Sequence, residues 1–189
     1  MRLGLIVVGL LLLIILLLGG QVMGARDQMA TLRQTVETTW AQVDTVVQRR
    51  VDLIPALLEL TRGLTGAREK EIPKAIAAAR TGLLNARNPQ EKIQSNQSLD
   101  HAIGRLLIAA EINPQLRDNE GFERMVEDLA GAENRIAQDR RRYNEALQKY
   151  NTTIEMFPNN IAAALFGFRR NDAYFRTDPA SRQAVPVRY

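Results

Sequence analysis

Few residues of this chain have side chains suited to catalysis. The sequence holds one histidine, His101, and no cysteine. A chain without cysteine has no thiolate nucleophile, thiolate zinc site or iron–sulfur cluster. One histidine is too few for a zinc site built on several imidazoles, or for the paired Glu-x-x-His motifs of di-iron bundles. Ser98 and Asp100 lie near His101 in the sequence, but neither residue makes His101 part of a Glu-x-x-His motif. We therefore expect no catalytic residue, no metal site and no cofactor.

The charged residues do not indicate a binding site for nucleotides or nucleic acids. The chain contains no Gly-x-Gly-x-x-Gly, Walker-type or Gly-x-Ser-x-Gly sequence. Opposite charges alternate between Glu133 and Arg140, and we expect solvated ion pairs there. The basic cluster 140–142 is diluted by Asp139 and Glu145, and the net charge is only +4. We expect neither nucleic acid nor a small-molecule substrate as a partner.

The most distinctive stretch is RRYNEALQKYNTTIEMFPNN, residues 141–160, which holds two Tyr-Asn pairs seven residues apart. Aromatic and aliphatic residues at heptad spacing are typical of a coiled coil or another packed helix face. We interpret the stretch as a packing seam, with the asparagines bonding at its edge. The predicted seam comprises Trp40, Tyr143, Asn144, Tyr150, Asn151, Phe157 and Pro158. A docking surface for a partner protein or a second copy is also open, because two helices alone leave apolar area exposed.

The N-terminal region is the most apolar part of the chain. No charged side chain occurs between Arg2 and Arg26, and residues 3–18 are all apolar or glycine. A bilayer-spanning helix needs about 20 residues, so this run is just long enough. We expect residues 1–25 to form an uncleaved transmembrane anchor, and the alternative is a signal peptide. The flanking arginines are nearly balanced, so charge does not decide the orientation.

Apolar residues recur every three or four positions after the anchor, which predicts helices. The predicted helices run from the anchor to about residue 63–66, then over 69–86, 93–111 and from Asp118 or Asn119 to Phe157, with a short helical segment over 159–167. Pro158 should end the long fourth helix, and Asn159 or Asn160 should cap the short segment.

The predicted fold is all-α. It consists of an N-terminal transmembrane helix followed by an up-down-up-down bundle of two long and two shorter helices, because short connections favour neighbours of opposite direction. The bundle domain is expected over 26–168, and residues 169–189 are expected to form an irregular tail.

The uncharged segment Ile161–Phe168 is followed by two arginines. We expect it to fold back and cover the seam between the long helices. The alternative is a position at the membrane interface, with apolar side chains in the headgroup region and arginines on phosphates. The residues concerned are Ile161, Leu165, Phe166, Phe168, Arg169 and Arg170.

These features together resemble the bacterial LemA family over nearly the whole chain. The resemblance is carried by the anchor, Trp40, QRRVDLIPALL (48–58), NPQLRDNEGF (113–122), AENRIAQDRRRYNEALQKYNTTIEMFPNNIAAALFGF (132–168) and the pair Tyr174-Phe175. Val51 and Ala56 depart from the pattern expected in the first of the quoted stretches. The resemblance implies a membrane-anchored helical bundle, usually with its soluble part in the cytoplasm, and it implies no catalytic activity.

We therefore expect a non-enzymatic, single-pass protein of the bacterial cytoplasmic membrane that serves as a scaffold or adaptor at the cell envelope. Its expected partners are membrane lipid and either another protein or a second copy in a homo-oligomer. The soluble domain is expected in the cytoplasm, with the periplasm as the alternative. The alternative function is a membrane-surface regulatory or remodelling element that contacts lipid through residues 161–168.

Overall fold

A computed structural model describes the backbone of residues 2–61 and 71–175, and their side chains except those of residues 2–8, 14, 15 and 18. It contains the helices α1 (Arg2–Leu60), α2 (Glu71–Asn85), α3 (Pro89–Glu111), α4 (Pro114–Arg117), α5 (Glu120–Glu155) and α6 (Asn159–Phe166). No strand occurs in this part of the chain, and the all-α prediction is confirmed. Residues 176–189 of the predicted tail lie outside the described residues.

Asparagine side chains cap several of these helices. The Oδ1 atom of Asn119 accepts a hydrogen bond from the Phe122 amide at 3.0 Å, as expected for the start of α5. Asn88 caps α3 in the same way, with 2.9 Å to the Glu91 amide, so α3 begins earlier than predicted. A third cap, Asn113, begins the single turn α4, which the sequence pattern did not predict.

The ends of α5 and α6 follow from proline and glycine. Helix α5 ends at Glu155, three residues before Pro158, and the Phe157–Pro158 peptide bond is cis. Neither Asn159 nor Asn160 caps α6, so that prediction is wrong: Pro158 occupies the cap position and no side chain bonds there. Gly167 ends α6 with φ 75°, a conformation that glycine adopts without steric cost.

The chain divides into two compact units, to which α1 and α5 each contribute. Unit 1 comprises Met1–Thr39 and Arg142–Asp172, and unit 2 comprises Trp40–Arg141 and Ala173–Tyr189. In unit 1 the buried apolar residues come from α1, α5 and α6. They are Met29, Leu32, Val36, Tyr143, Leu147, Tyr150, Ile154, Ala162 and Ala163.

Four helix segments of unit 2, those of α1, α2, α3 and α5, alternate in direction. Helices α2 and α3 form a closely packed hairpin, with Gly82 against Ser95. Helix α3 runs parallel to α1, because Lys92 pairs with Asp44 while Asp100 pairs with Arg50 further along both helices. Helix α5 runs antiparallel to α1, since Glu133 contacts Arg50 whereas the earlier residue Gly121 lies beside the later residue Leu60. These pairings agree with the predicted up-down-up-down order.

The predicted anchor is only partly covered by the described side chains, because residues 1–8, 14, 15 and 18 lie outside them. Over the part that is described, no helix reaches both the length and the apolarity that crossing a bilayer requires.

Candidate functional site

The second Tyr-Asn pair of the distinctive stretch holds the segment that follows α6. The hydroxyl of Tyr150 donates to the main-chain oxygen of Arg169 at 2.9 Å. The Asn151 side chain donates to the main-chain oxygen of Asn171 at 2.7 Å and accepts from its amide at 3.0 Å. These three bonds attach an irregular segment to one face of α5.

The burial of Asn151 explains why this position needs a bonded amide. The residue is only 3% exposed, and a buried polar side chain without partners is costly. Its donor and acceptor atoms both reach the main chain of Asn171, so Asn151 bonds to the segment that follows α6. Asn144, in the first Tyr-Asn pair, is half-buried.

Tyr150 acts here as a donor that stays protonated. Burial raises the pKa of the Tyr150 phenol, against the opposing effects of the nearby Arg33 charge and of a backbone hydrogen bond at Arg169. A neutral phenol can donate to a carbonyl but cannot serve as a base at neutral pH. Beside it lies a cavity of about 310 Å³. The lining residues of this cavity are Arg33, Val36, Glu37, Tyr150, Gly167, Arg169 and Asn171.

The predicted seam is buried at Tyr143, which is 1% exposed, and at Tyr150, but it does not include Phe157. Phe157 is 79% exposed and Pro158 is exposed as well. They therefore take no part in the packing of the described residues, and their place in an interaction surface stays a prediction. The physical reason is that α5 ends at Glu155, so that Phe157 no longer follows the helical repeat that brings Tyr143 and Tyr150 to one face.

Helix α6 buries two of its three alanines and exposes its large apolar residues. Ala162 and Ala163 are buried, whereas Ile161, Leu165 and Phe166 are exposed. The segment was expected to fold back on the seam, and its residues Ala162 and Ala163 do pack inward. Its large apolar side chains, which were expected to cover the seam, are exposed instead. Phe168 is half-buried.

The three arginines around α6 differ in their partners. The guanidinium of Arg26 lies over the Phe166 ring, 5.7 Å from its centroid. Arg170 pairs with Glu155 and Asp172. Arg169 is exposed and forms no ion pair with any residue that the structure describes.

Trp40 belongs to an aromatic contact in unit 2. Its ring stacks on Phe175 with 6.0 Å between centroids and an interplanar angle of 25°. Phe175 also lies below the guanidinium of Arg140, 5.1 Å from the ring centroid. Sequence reasoning placed Trp40 against the Tyr143 stripe and gave Phe175 no role. Within unit 2, Phe175 is thus held between the Trp40 ring and the Arg140 guanidinium.

A group of charged residues links three helices of unit 2, and sequence reasoning missed it. Arg50 of α1 is only 4% exposed and pairs with Asp100 of α3 and Glu133 of α5. Arg140 contacts the same two carboxylates at 3.4 and 3.5 Å, and the buried Asn96 donates to Asp100 at 3.1 Å. The expectation of solvated pairs worth little is therefore wrong for Glu133 and Arg140, because both reach across to other helices.

The charge group is balanced, with two cations and two anions. Burial and the neighbouring Asp100 raise the pKa of the Glu133 carboxyl, although Arg50 and Arg140 act in the opposite direction. One sequence signal could have revealed the group. Arg50 stands at apolar-stripe spacing between Val47 and Ile54, where a charged residue needs partners inside the bundle.

The contacts described above hold helices and the segment after α6 together, and apolar side chains of α6 remain exposed. Within the described residues, no three acidic or histidine side chains lie close enough to hold a metal ion. His101 is exposed on α3.

Comparison with known proteins gives a consistent result. The family model described as "LemA family" matches residues 39–189 of the chain. Among curated proteins, magnetosome proteins MamQ 1 and MamQ 2 of Paramagnetospirillum magneticum are each 36% identical over 80 residues. Magnetosome protein MamQ of Magnetospirillum gryphiswaldense is 32% identical over 80 residues. Each alignment covers 42% of this chain and 29% of the relative, so the chain spans under a third of the length of these proteins.

Proposed function

The chain belongs to the LemA family, and from this premise we propose that it is a non-enzymatic scaffold or adaptor anchored in the cytoplasmic membrane by the N-terminal part of α1. The curated relatives are named as magnetosome proteins, and they match over less than half of this chain. The name of these relatives therefore does not assign this chain to a particular cellular process. The proposed partners are membrane lipid and either another protein or a second copy.

The exposure of the leucines near the N-terminus is the observation that carries the anchor. Leu10, Leu11, Leu12 and Leu13 are 53–59% exposed, and Leu16 and Leu17 are 73% and 62% exposed. Four consecutive residues of an α-helix point in directions about 100° apart, so the helix is apolar on all sides. A helix of that kind needs either a protein core or lipid around it. Among the residues that the structure describes, none packs a core around these leucines, which favours lipid.

The continuity of α1 supports the scaffold part of the proposal. The helix runs without a break from Arg2 to Leu60, so the proposed anchor and the first helix of the bundle are one element. Unit 2 also exposes Ile108 and Ile112, which are 67% and 79% exposed one turn apart at the end of α3. Exposed large aliphatic pairs of this kind suit contact with a protein partner.

Alkaline extraction of membranes tests the anchor. The full chain should stay in the membrane pellet at high pH, and Leu12→Arg combined with Leu16→Arg should release most of it, because charge at the bilayer centre is costly. Gln34→Arg combined with Thr38→Arg, at exposed polar positions of the same helix, is the matched control and should stay in the pellet. Complete extraction of the unmodified chain would contradict the anchor.

A single cysteine tests the side of the membrane, since the chain has no cysteine of its own. Thr45 is exposed on α1, and Thr45→Cys should react with a membrane-impermeant thiol reagent only after cell lysis if the bundle is cytoplasmic. Reaction in intact cells would instead support the periplasmic alternative.

A light-activated cross-linker at Ile112 tests the scaffold role. It should give a discrete product, of double mass for a second copy or of another mass for a different partner. The same group at Ser98, an exposed polar position of α3, should give much less. Equal yields at the two positions would count against a partner surface at Ile112.

A further inference from the structure

We propose that unit 1 carries a phospholipid-binding surface, formed by Met156, Phe157, Ile161, Leu165 and Phe166, with Arg169 beside it for the headgroup phosphate. We call these five residues the α6 apolar surface. The inference rests on the proposed membrane anchor and adds a second, peripheral contact with the same bilayer.

The α6 apolar surface is not required by the packing of unit 1. Its side chains are 58%, 79%, 59%, 71% and 38% exposed, in chain order. The inward side of α6 is made by Ala162 and Ala163. A helix that packs through alanines and exposes its large apolar side chains has the amphipathic order of helices that lie in a membrane interface.

The position of the α6 apolar surface is given by Arg26. This arginine is the first charged residue after the uncharged run that begins at Leu3, and its guanidinium covers the ring of Phe166. The end of the apolar run and the end of α6 therefore lie side by side. If the run spans the bilayer, Arg26 marks the headgroup level, and α6 lies at that level with Ile161 and Leu165 exposed.

The charges beside α6 suit an anionic headgroup. Arg169 is the third residue after α6, is exposed, and has no ion pair within the described residues. It lines the cavity of about 310 Å³ together with Arg33. Arginine is well suited to phosphate because its planar fork offers several donors to the phosphate oxygens. The apolar and anionic parts of a phospholipid thus both have a matching surface.

Lipid is a better occupant of this surface than a second copy. A stable protein interface needs about 800 Å² from each partner, contributed by 20–30 residues. The α6 apolar surface has five large side chains. Charged residues lie next to it in the sequence, where Arg170 pairs with both Glu155 and Asp172. A fluid bilayer needs no surface complementary in shape to α6. The proposed anchor would also keep the α6 apolar surface next to the bilayer.

The test uses the full chain in liposomes with one fluorophore attached to a single cysteine. Leu165→Cys reports on the α6 apolar surface. Thr38→Cys is the control, because it is exposed on α1 in the same unit and lies about 18 Å along the helix from Arg26 at 1.5 Å per residue. Lipids with quenchers on their acyl chains should quench the Leu165 probe several-fold more than the Thr38 probe. Anionic lipid should strengthen the effect, and Arg169→Gln should remove that increase.

Flotation of the liposomes separates failure of this inference from failure of the anchor. If the protein does not float with the liposomes, the proposed anchor is wrong and the inference falls with it. If the protein floats but both probes are quenched equally, the lipid-binding surface is wrong and the anchor stands. Cross-linking of two chains through Leu165→Cys without lipid quenching would show that a second copy occupies the surface. Equal quenching in neutral and anionic lipid would overturn the role of Arg169.

Discussion

The side-chain amide of Asn151 forms two hydrogen bonds with the main chain of Asn171, at 2.7 Å to its oxygen and 3.0 Å from its nitrogen. Asn151 therefore gives the irregular segment the pair of bonds that a neighbouring strand would otherwise supply. Aspartate has no donor for the carbonyl, and an aliphatic residue has neither group. This requirement accounts for an asparagine on a face of α5 that is otherwise apolar.

Asn151→Ala should free the segment after α6. We expect a loss of about 1–3 kcal/mol in the free energy of unfolding, because two hydrogen bonds near a buried site are removed. The amide of Asn171 should also exchange with solvent faster, which hydrogen exchange measures directly. Thr152→Ala, at the exposed neighbouring position, should change neither quantity by much. Unchanged exchange at Asn171 in the Asn151 variant would contradict this role.

Phe175→Ala should weaken the attachment of the same segment to unit 2. Stacking on Trp40 and contact with Arg140 are each worth about 0.5–1.5 kcal/mol, so we expect a loss of about 1–3 kcal/mol. Trp40 is the only tryptophan, and its fluorescence and near-ultraviolet circular dichroism therefore report on the contact. Phe157→Ala, at a side chain that is 79% exposed, should leave both signals as they are. A Trp40 spectrum unaffected by Phe175→Ala would refute the contact.

The features that could be predicted are those set by neighbours in the sequence. The apolar repeat of three and four residues locates α2 and α3, Asn119 caps α5 as its side chain allows, and Pro158 follows the end of that helix. Short connections then lead to the alternating order seen in unit 2. The burial of Tyr143 and Tyr150 follows from the same repeat.

The features that could not be predicted depend on partners far away in the sequence. Asn151 bonds to Asn171, which lies in a segment without an apolar repeat. The sequence therefore contains no pattern from which this pair could be predicted. Phe157 stands at heptad spacing from Tyr150 in the sequence. Helix α5 ends at Glu155, however, so the Phe157 side chain does not lie on the same helix face and is exposed. In the sequence, Arg50 is one of two adjacent arginines, which are usually exposed. It is buried because carboxylates from two other helices pair with it.

Arg50→Ala should destabilise unit 2 more than any other loss of a single charge from this group. It removes a buried cation and leaves Asp100 and Glu133 with Arg140 as their remaining cation within the group. The cost should be about 1–3 kcal/mol, below the range of fully buried pairs because both carboxylates retain solvent contact. Arg49→Ala, at the exposed adjacent position, is the matched control for unfolding measurements. Equal losses for the two variants would rule out a special role for Arg50.

Glu133 should give the stability of the protein a dependence on acid pH. Its pKa in the folded chain is raised above the ordinary value of 4.5, so the folded state favours the protonated carboxyl. This contribution is fully present below pH 4.5 and is lost as the pH rises through the raised pKa. Unfolding measured between about pH 4 and pH 7 should show stability falling relative to Glu133→Gln, which cannot titrate. A constant difference between the two proteins across that range would contradict the raised pKa.

The most direct measurement of the central claim is the accessibility of α1 to water in membranes. A cysteine at Leu12, in the proposed anchor, is compared with one at Thr38, which is exposed on the same helix. In membranes opened to reagent on both sides, a polar thiol reagent should modify Thr38→Cys quickly and Leu12→Cys slowly, by a factor of at least about ten, because lipid excludes the reagent. Equal rates at the two positions would show that α1 does not enter the bilayer, and would contradict the proposed anchor.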